Sequence, residues 1–165
     1  MNYYAYRMLR KCQESDIEAI YEIYFHPEVN PFMNMKKMSL SDFQDYWAKR
    51  MLNEQIYVQV DGNNVVGMIC TKREENRCAG TATISSFAIH PDYQGQHLGA
   101  QALAEAVSIL QNQGVTRVQL IVEEDNSNAR AFYKHQCFEE EGVLRNYFNR
   151  EGQIVNEIIM AKLLN

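Results

Sequence analysis

The sequence of 165 residues lacks any apolar run close to the roughly 20 residues that a membrane-spanning helix needs. Its four cysteines show no close paired spacing, which argues against a zinc site and favours packed thiols in a reducing compartment. The net charge is −5 and no basic stripe is present, so the composition argues against nucleic-acid binding. Residues Met1 to Tyr4 show no signal-peptide pattern. These absences predict a cytoplasmic protein without a metal, membrane or nucleic-acid partner.

What the chain does contain is the composition of an ordinary globular protein. Hydrophobic residues make up 46% and charged residues 22% of the sequence. A chain of this length is large enough for a single hydrophobic core. It has no internal repeat, linker or low-complexity segment. We therefore predict one domain over residues 1–165.

The most informative segment is a short glycine-containing loop between a predicted strand and a predicted helix. The β-rich residues 84–89 lead into His90-Pro91, and a long amphipathic helix is predicted to begin near Leu98. The first N–H groups of a helix have no partner inside it, and the helix dipole is positive there, so such a loop can bind an anion. The loop has neither a Gly-Lys-Ser/Thr ending nor three glycines in dinucleotide-binding spacing. An ordinary tight connection remains an alternative for this loop taken alone.

A second informative segment lies about thirty residues downstream. A predicted strand over Val118 to Glu123 precedes a predicted helix over Ser127 to His135. The polar residues Asp125 and Asn126 lie between them. The aromatic residues Phe132, Tyr133 and Phe138 lie at and beyond the end of this helix.

Together the two segments resemble the GNAT superfamily of N-acetyltransferases. The family's loop pattern is Gln/Arg-x-x-Gly-x-Gly/Ala, which Gln94 opens and Gly99 closes, with His97 at a position that is usually glycine. The family's second pattern is Asn-x-x-Ala-x-x-Phe/Leu-Tyr-x-x-x-Gly-Phe. Here Asn126, Ala129, Phe132, Tyr133 and Phe138 are in register, and Cys137 replaces the glycine. The block over residues 138–148 is similar to the branch containing spermidine, amino-acid and ribosomal-protein N-terminal acetyltransferases.

The order of predicted elements agrees with the fold that this resemblance implies. Capping-box patterns at Ser15 and Ser41 predict two N-terminal helices. Asp61-Gly62 predicts a hairpin, Gly114 a helix end, and residues 138–163 a closing hairpin. The predicted fold class is α+β, a central mixed, mainly antiparallel sheet flanked by helices.

The resemblance implies acetyl-coenzyme A as the acetyl donor. The backbone of the central strand would then pair with the pantetheine arm, the loop N–H groups would bind the pyrophosphate, and Asn126 would contact the pantetheine or separate two strands. The implied cofactor-binding residues are Phe87, Ala88, Ile89, Gln94, Gly95, Gln96, His97, Leu98, Gly99, Ala100 and Asn126. The side chain of His97 has two alternatives, contact with phosphate or exposure to solvent. No metal is implied.

The implied reaction is direct attack of a neutral amine on the thioester, so an ammonium must first lose a proton. Tyr133 matches the family's tyrosine and is the candidate general acid for the departing thiolate. Candidates for the base are Glu123 and His90, and a chain of waters without a dedicated base is the alternative. Glu28 is the candidate residue for attracting the acceptor amine, with a solvated loop carboxylate as its alternative.

The partners predicted are acetyl-coenzyme A and an amine acceptor of unspecified identity. The sequence does not decide between a monomer and a homodimer. Two other functions remain open at this stage. One is a module that binds acetyl-coenzyme A with little catalysis, and the other is an unrelated protein that binds nucleotide phosphates with the same loop.

Overall fold

The computed structural model describes residues 6–165, so the segment considered for a signal peptide lies outside the described residues. Within them the elements are β1 (Arg7–Lys11), α1 (Ile17–Tyr24), α2 (Leu40–Asn53), β2 (Gln55–Asp61), β3 (Asn64–Arg73), β4 (Thr81–Ile89), α3 (Leu98–Asn112), β5 (Arg117–Glu123), α4 (Ser127–His135), β6 (Glu139–Arg150) and β7 (Gln153–Leu163). Among these helices none is long and apolar enough to cross a membrane. The cytoplasmic location stays a prediction.

The strands form a mixed sheet that is mainly antiparallel. Its order is β1-β2-β3-β4-β5-β7-β6, and the recorded parallel pairing joins β4 to β5. The predicted fold class is therefore confirmed. The described residues divide into two compact units, residues 6–72 with 86–106 and residues 73–85 with 107–165. The single domain over residues 1–165 stays a prediction.

The first unit packs α1 and α2 on one face of the β1-β2-β3 sheet. The alternate residues Ile56, Val58 and Val60 of β2 all belong to the core that these helices cover. The ring of Phe43 stacks on Trp47 with centroids 5.1 Å apart, and both side chains are fully buried. Residues 56–60 of β2 are all buried, and the alternate residues on its helix-facing side build this core together with the aromatic side chains of the helices.

The second unit is built on the antiparallel pair of β5 and β7. Apolar residues face one another across this pair, including Leu120 with Met160 and Val122 with Ile158. In β6 the register with β7 shifts twice, between Glu140 and Gly142 and between Leu144 and Phe148. These irregularities set which side chains of the closing hairpin share a face.

Gly67 allows β3 to approach the end of β4 closely. A Cβ atom built on Gly67 would lie 2.9 Å from the carbonyl oxygen of Ala88 and would overlap the side chain of Ile89. We expect Gly67→Ala to destabilise the protein by about 1–3 kcal/mol, the usual cost of overpacking. It should also displace two predicted cofactor-contacting residues and weaken acetyl-coenzyme A binding.

The measurement for Gly67→Ala is urea unfolding together with titration of acetyl-coenzyme A. Gly142→Ala is the control, since a Cβ there meets nothing within 4 Å and its φ is not positive. Equal stability of the two variants would contradict the close approach at Gly67.

Candidate functional site

The glycine-containing loop of the first unit connects the end of β4 to the start of α3. A single 3-10 turn over Pro91–Tyr93 follows the strand, and α3 begins at Leu98 as predicted. Gly95 has φ +73° with open space around its Cβ position, so it is needed for backbone conformation. Helix geometry leaves the first N–H groups of α3 without partners inside the helix. The open space and these N–H groups fit a pyrophosphate group.

Two glutamines of this loop use their side chains within the first unit. Gln94 Nε2 donates to the carbonyl oxygen of Ile89 at 2.9 Å, which ties the loop to the end of β4. Gln96 Oε1 accepts from the guanidinium of Arg7 at 3.0 Å, and Arg7 also pairs with Asp61. In this conformation only the backbone groups of Gln94 and Gln96 are left to bind the cofactor, because both side chains already have partners in the protein.

Both positions where the sequence departs from the family's glycines have left-handed backbone. His97 and Cys137 each have φ +63°. This conformation is uncommon for residues other than glycine, which explains the usual glycine at these positions. The substitutions therefore retain the backbone conformation that the two motifs require, at some cost in strain.

Cys137 ends helix α4 in a Schellman motif. Its N–H donates to the carbonyl oxygen of Lys134, and the N–H of Phe138 donates to that of Tyr133, both at 3.0 Å. The rings of Tyr133 and Phe138 contact one another with centroids 5.7 Å apart, which is the hydrophobic contact typical of this motif. The helix end therefore holds the candidate acid Tyr133 in place.

We expect Cys137→Gly to stabilise the protein by about 1 kcal/mol, because glycine adopts positive φ without strain. His97→Gly should give a smaller gain, because histidine tolerates this conformation better than most residues. Chemical denaturation of each variant measures the effect. Cys78→Gly is the control, since Cys78 is exposed but is not among the positive-φ residues. Loss of stability in Cys137→Gly would show that its thiol has a packing role.

The histidine His90 is poorly placed to be the base. Its Nδ1 accepts from the N–H of Asp92 at 3.2 Å, which puts the proton of the neutral ring on Nε2. His26 has the same arrangement with the N–H of Glu28 at 3.2 Å, and the two rings lie 5.1 Å apart. The side chain of Glu28 is exposed. Its role as the residue attracting the amine stays a prediction.

Arg50 is a residue of the first unit that the sequence analysis missed. Its guanidinium pairs with Glu54 at 2.6 Å, donates to the hydroxyl of Ser86 on β4 at 3.2 Å, and lies 4.9 Å from the centroid of the Trp47 ring. Burial alone would lower the pKa of Arg50. The hydrogen bond and the negative charge of Glu54 act in the opposite direction, and the pKa is raised. The spacing of Arg50 and Glu54 on α2 indicates an ion pair, but nothing in the sequence connects it to β4.

In the second unit, the predicted residues Glu123, Asn126 and Tyr133 surround the turn from β5 to α4. Asn126 caps α4 by accepting from the N–H of Ala129 at 3.1 Å, and its side chain also hydrogen-bonds to Glu123. Tyr133 is 8% exposed. Burial, together with the charge of Glu123, raises the pKa of the Tyr133 phenol, so it is protonated at neutral pH.

A second carboxylate, Glu157 on β7, lies opposite Glu123 and was not predicted. Both residues are 5% exposed. Burial raises the pKa of Glu123, and burial with the charge of Glu123 raises the pKa of Glu157 to about 7. A carboxyl group with this pKa can exchange a proton near neutral pH.

The closing hairpin of the second unit also has an open groove of about 720 Å³. It is lined by Val143, Leu144, Arg145, Asn146, Tyr147 and Asn156. The lining includes one cation and no carboxylate, so the groove does not favour a polycationic ligand. The sequence analysis did not identify these residues because the groove depends on the register shift between Leu144 and Phe148.

Comparison with known proteins assigns the family. A model described as the acetyltransferase (GNAT) family matches residues 15–137, which include the loop motif and all of the second motif except its last residue, Phe138. The chain belongs to the GNAT family. Members of this family use acetyl-coenzyme A, so the chain is an acetyl-coenzyme A-dependent N-acetyltransferase by family. The alternative of an unrelated nucleotide-binding protein is therefore wrong.

Individual relatives include proteins from the branch that the sequence resembles. The [ribosomal protein bS18]-alanine N-acetyltransferase of Haemophilus influenzae is 29% identical over 93% of this chain and 97% of its own length. The Escherichia coli enzyme of that name is 36% identical over 48% of this chain and 54% of its own length. The spermidine N-acetyltransferase of Vibrio cholerae, solved with CoA and spermine, has a TM-score of 0.84 at 20% identity over 95% of both chains. This likeness supports the fold.

Proposed function

We propose that this GNAT protein transfers the acetyl group of acetyl-coenzyme A to a primary amine by direct attack on the thioester. The observation that carries the proposal is the left-handed backbone at His97 and Cys137, φ +63° at both. The reasons to consider a module without catalysis are His97, Cys137 and the lack of a carboxylate on β4, and at the first two the backbone conformation supports intact motifs. The acceptor proposed first is the N-terminal amine of a peptide, the class named for the Haemophilus influenzae relative.

In this proposal the loop binds the donor through backbone groups. The N–H groups of residues 95–100 would hold the pyrophosphate, and the dipole of α3 would favour its negative charge. The backbone of Phe87, Ala88 and Ile89 would hold the pantetheine arm. The Gln94 side chain keeps the loop folded against Ile89 rather than touching the ligand.

Tyr133 is proposed as the general acid. The attacking amine forms a bond to the thioester carbon, and collapse of the tetrahedral adduct breaks the carbon–sulfur bond. The thiolate then takes the phenol proton of Tyr133, and the phenolate recovers a proton from the nitrogen of the new amide, which still carries the extra proton and positive charge of the attacking amine. A peptide N-terminus has a pKa of about 8 against about 10.4 for a lysine amine, so less free energy is needed to deprotonate it.

The proposal is tested by measuring release of the CoA thiol with a panel of amines. The panel contains a peptide with N-terminal alanine, its N-acetylated form as the matched control, spermidine and free amino acids. We expect the free peptide to be acetylated and its blocked form to be inert. If only spermidine is acetylated, the acceptor is a polyamine and not a peptide N-terminus. If no amine is acetylated, the result supports a binding module instead.

Acetyl-coenzyme A should raise the melting temperature, since a ligand that binds only the folded state stabilises it. At a hundred times its dissociation constant the gain is about 2.7 kcal/mol, or about 5 to 10 °C for a chain of this size. Differential scanning fluorimetry with acetyl-coenzyme A, ATP and NAD at matched concentrations measures this. Equal shifts with all three ligands would argue against a specific donor site.

A further inference from the structure

Glu123 and Glu157 are placed side by side by the register of β5 and β7. The two residues are direct partners in the antiparallel pair. The N–H of Glu124 donates to the carbonyl oxygen of Asn156 at 2.9 Å, so the neighbouring pair is a hydrogen-bonded one. Hydrogen-bonded and non-hydrogen-bonded pairs alternate, which makes Glu123 and Glu157 the closer, non-hydrogen-bonded type with both side chains on the same face.

The two carboxyl groups have little else to neutralise them. Among residues 6–165 neither forms an ion pair, and the Oε2 atom of buried Glu157 has no hydrogen-bond partner. Glu123 accepts from Asn126 and also feels two more distant charges, of Arg150 and Asp125. These two charges pair with each other at 2.9 Å, and they act on the pKa of Glu123 in opposite directions. Glu157 faces the charge of Glu123 alone.

Two adjacent buried carboxylates cannot both ionise without a large cost. Such a pair titrates as one unit, with one proton held between the two groups over a wide range of pH. The hydrogen bond from Asn126 favours the ionised form of Glu123, while the unpartnered Oε2 atom leaves Glu157 as the group that keeps the proton.

We propose that Glu123 and Glu157 share one proton and that this pair, with Glu157 as its positioning partner, receives the proton that leaves the acceptor ammonium. This inference rests on the proposed acetyltransferase function. The ammonium loses one proton to the Glu123 carboxylate through water, giving a neutral amine and a pair that holds two protons. After the acetyl group is transferred and the thiol leaves, the pair releases the extra proton to solvent.

The pair also affects the later step at Tyr133. The charge of Glu123 helps to raise the pKa of the phenol, after the larger effect of burial. Once the pair has taken the proton of the ammonium, this negative charge is gone. The phenol then becomes a stronger acid at the stage when the thiolate needs a proton. Accepting the first proton and donating the second are therefore coupled through Glu123.

The shared proton is tested by NMR titration of the full chain labelled with ¹³C at the glutamate carboxyl carbons. The wild-type protein should show one buried glutamate titrating near pH 7, and this titration should move to lower pH in Glu123→Gln because the like charge is removed. Glu139→Gln, the same change at an exposed position of β6, should leave it in place. An unchanged titration of Glu157 in Glu123→Gln would overturn the shared proton.

The role in the reaction is tested by the pH profile of kcat/KM with the best amine. In Glu157→Gln the inflection that the Glu157 titration gives the wild-type profile near pH 7 should disappear, because glutamine has no proton to lose there. KM for acetyl-coenzyme A should be unchanged, as it should be in Glu139→Gln. A profile identical to that of Glu139→Gln would overturn the role of the pair. Absence of turnover with every amine would instead overturn the proposed function and the proton-accepting role, while the NMR titration would still decide whether the two carboxyl groups share a proton.

Discussion

Replacing Tyr133 with phenylalanine should lower turnover about 10²-fold and leave the affinity for acetyl-coenzyme A nearly unchanged. The change removes one hydroxyl group and keeps the ring. The ring contacts with Phe132 and Phe138, with centroids 5.2 and 5.7 Å away, should therefore persist. The effect belongs at the low end of general acid catalysis, because a thiolate leaves fairly well unaided and the buried phenol gives up its proton reluctantly.

The measurement is steady-state turnover beside donor affinity for Tyr133→Phe and for the control Tyr6→Phe. Tyr6 is 69% exposed, so loss of its hydroxyl should change neither quantity. Unchanged turnover in Tyr133→Phe, under conditions where the chemical step limits the rate, would remove Tyr133 from the mechanism. A loss of affinity equal to the loss of rate would make it a binding residue.

The two motifs were predictable because they combine local signals with defined spacing. The observed bounds of α4, Ser127–His135, agree with the prediction, since Asn126 caps the helix and a left-handed residue ends it. Gly114 likewise ends α3 with φ +84°. These signals depend on residues within a few positions of one another, so one sequence is enough to identify them.

The two N-terminal helices are present, but the prediction that Ser15 and Ser41 cap them was wrong. In the first case the capping box lies two residues earlier, at Gln13, where Asp16 accepts from the N–H of Gln13 and also pairs with Arg10 of β1. In the second case Ser39 caps α2 through the N–H of Asp42 at 3.1 Å. Two serines two residues apart offer the same local chemistry, and only packing of the helix chooses between them.

Glu157 could not be predicted because its importance depends on strand register. Its neighbours Asn156 and Ile158 lie on the opposite face of β7, and a register shift of one residue would exchange the faces. Arg50 has the same limitation, since its contact with Ser86 joins residues 36 positions apart. The side-chain partners of Gln94 and Gln96, the carbonyl oxygen of Ile89 and the guanidinium of Arg7, likewise could not be identified from the loop sequence.

Glu157 should make the stability of the protein fall as pH rises from about 4.5 to about 7. Its folded-state pKa is raised from 4.5 to about 7, by burial first and then by the charge of Glu123. Below about pH 4.5 the folded and unfolded states both hold the proton, so the free energy of unfolding carries no penalty. Between the two values only the unfolded state releases it, which favours unfolding by up to about 3 kcal/mol above pH 7.

The Glu157→Gln variant removes this titration, so its stability relative to the wild-type protein should increase by about 3 kcal/mol between pH 4.5 and pH 8. Urea unfolding of both proteins at four pH values measures the difference, in which the contributions of titrating groups other than the coupled partner Glu123 cancel. Glu139→Gln should follow the wild-type curve at every pH. If Glu157→Gln also follows it, the Glu157 carboxyl group is ionised in the folded protein at an ordinary pKa, and it would have no proton to exchange near neutral pH.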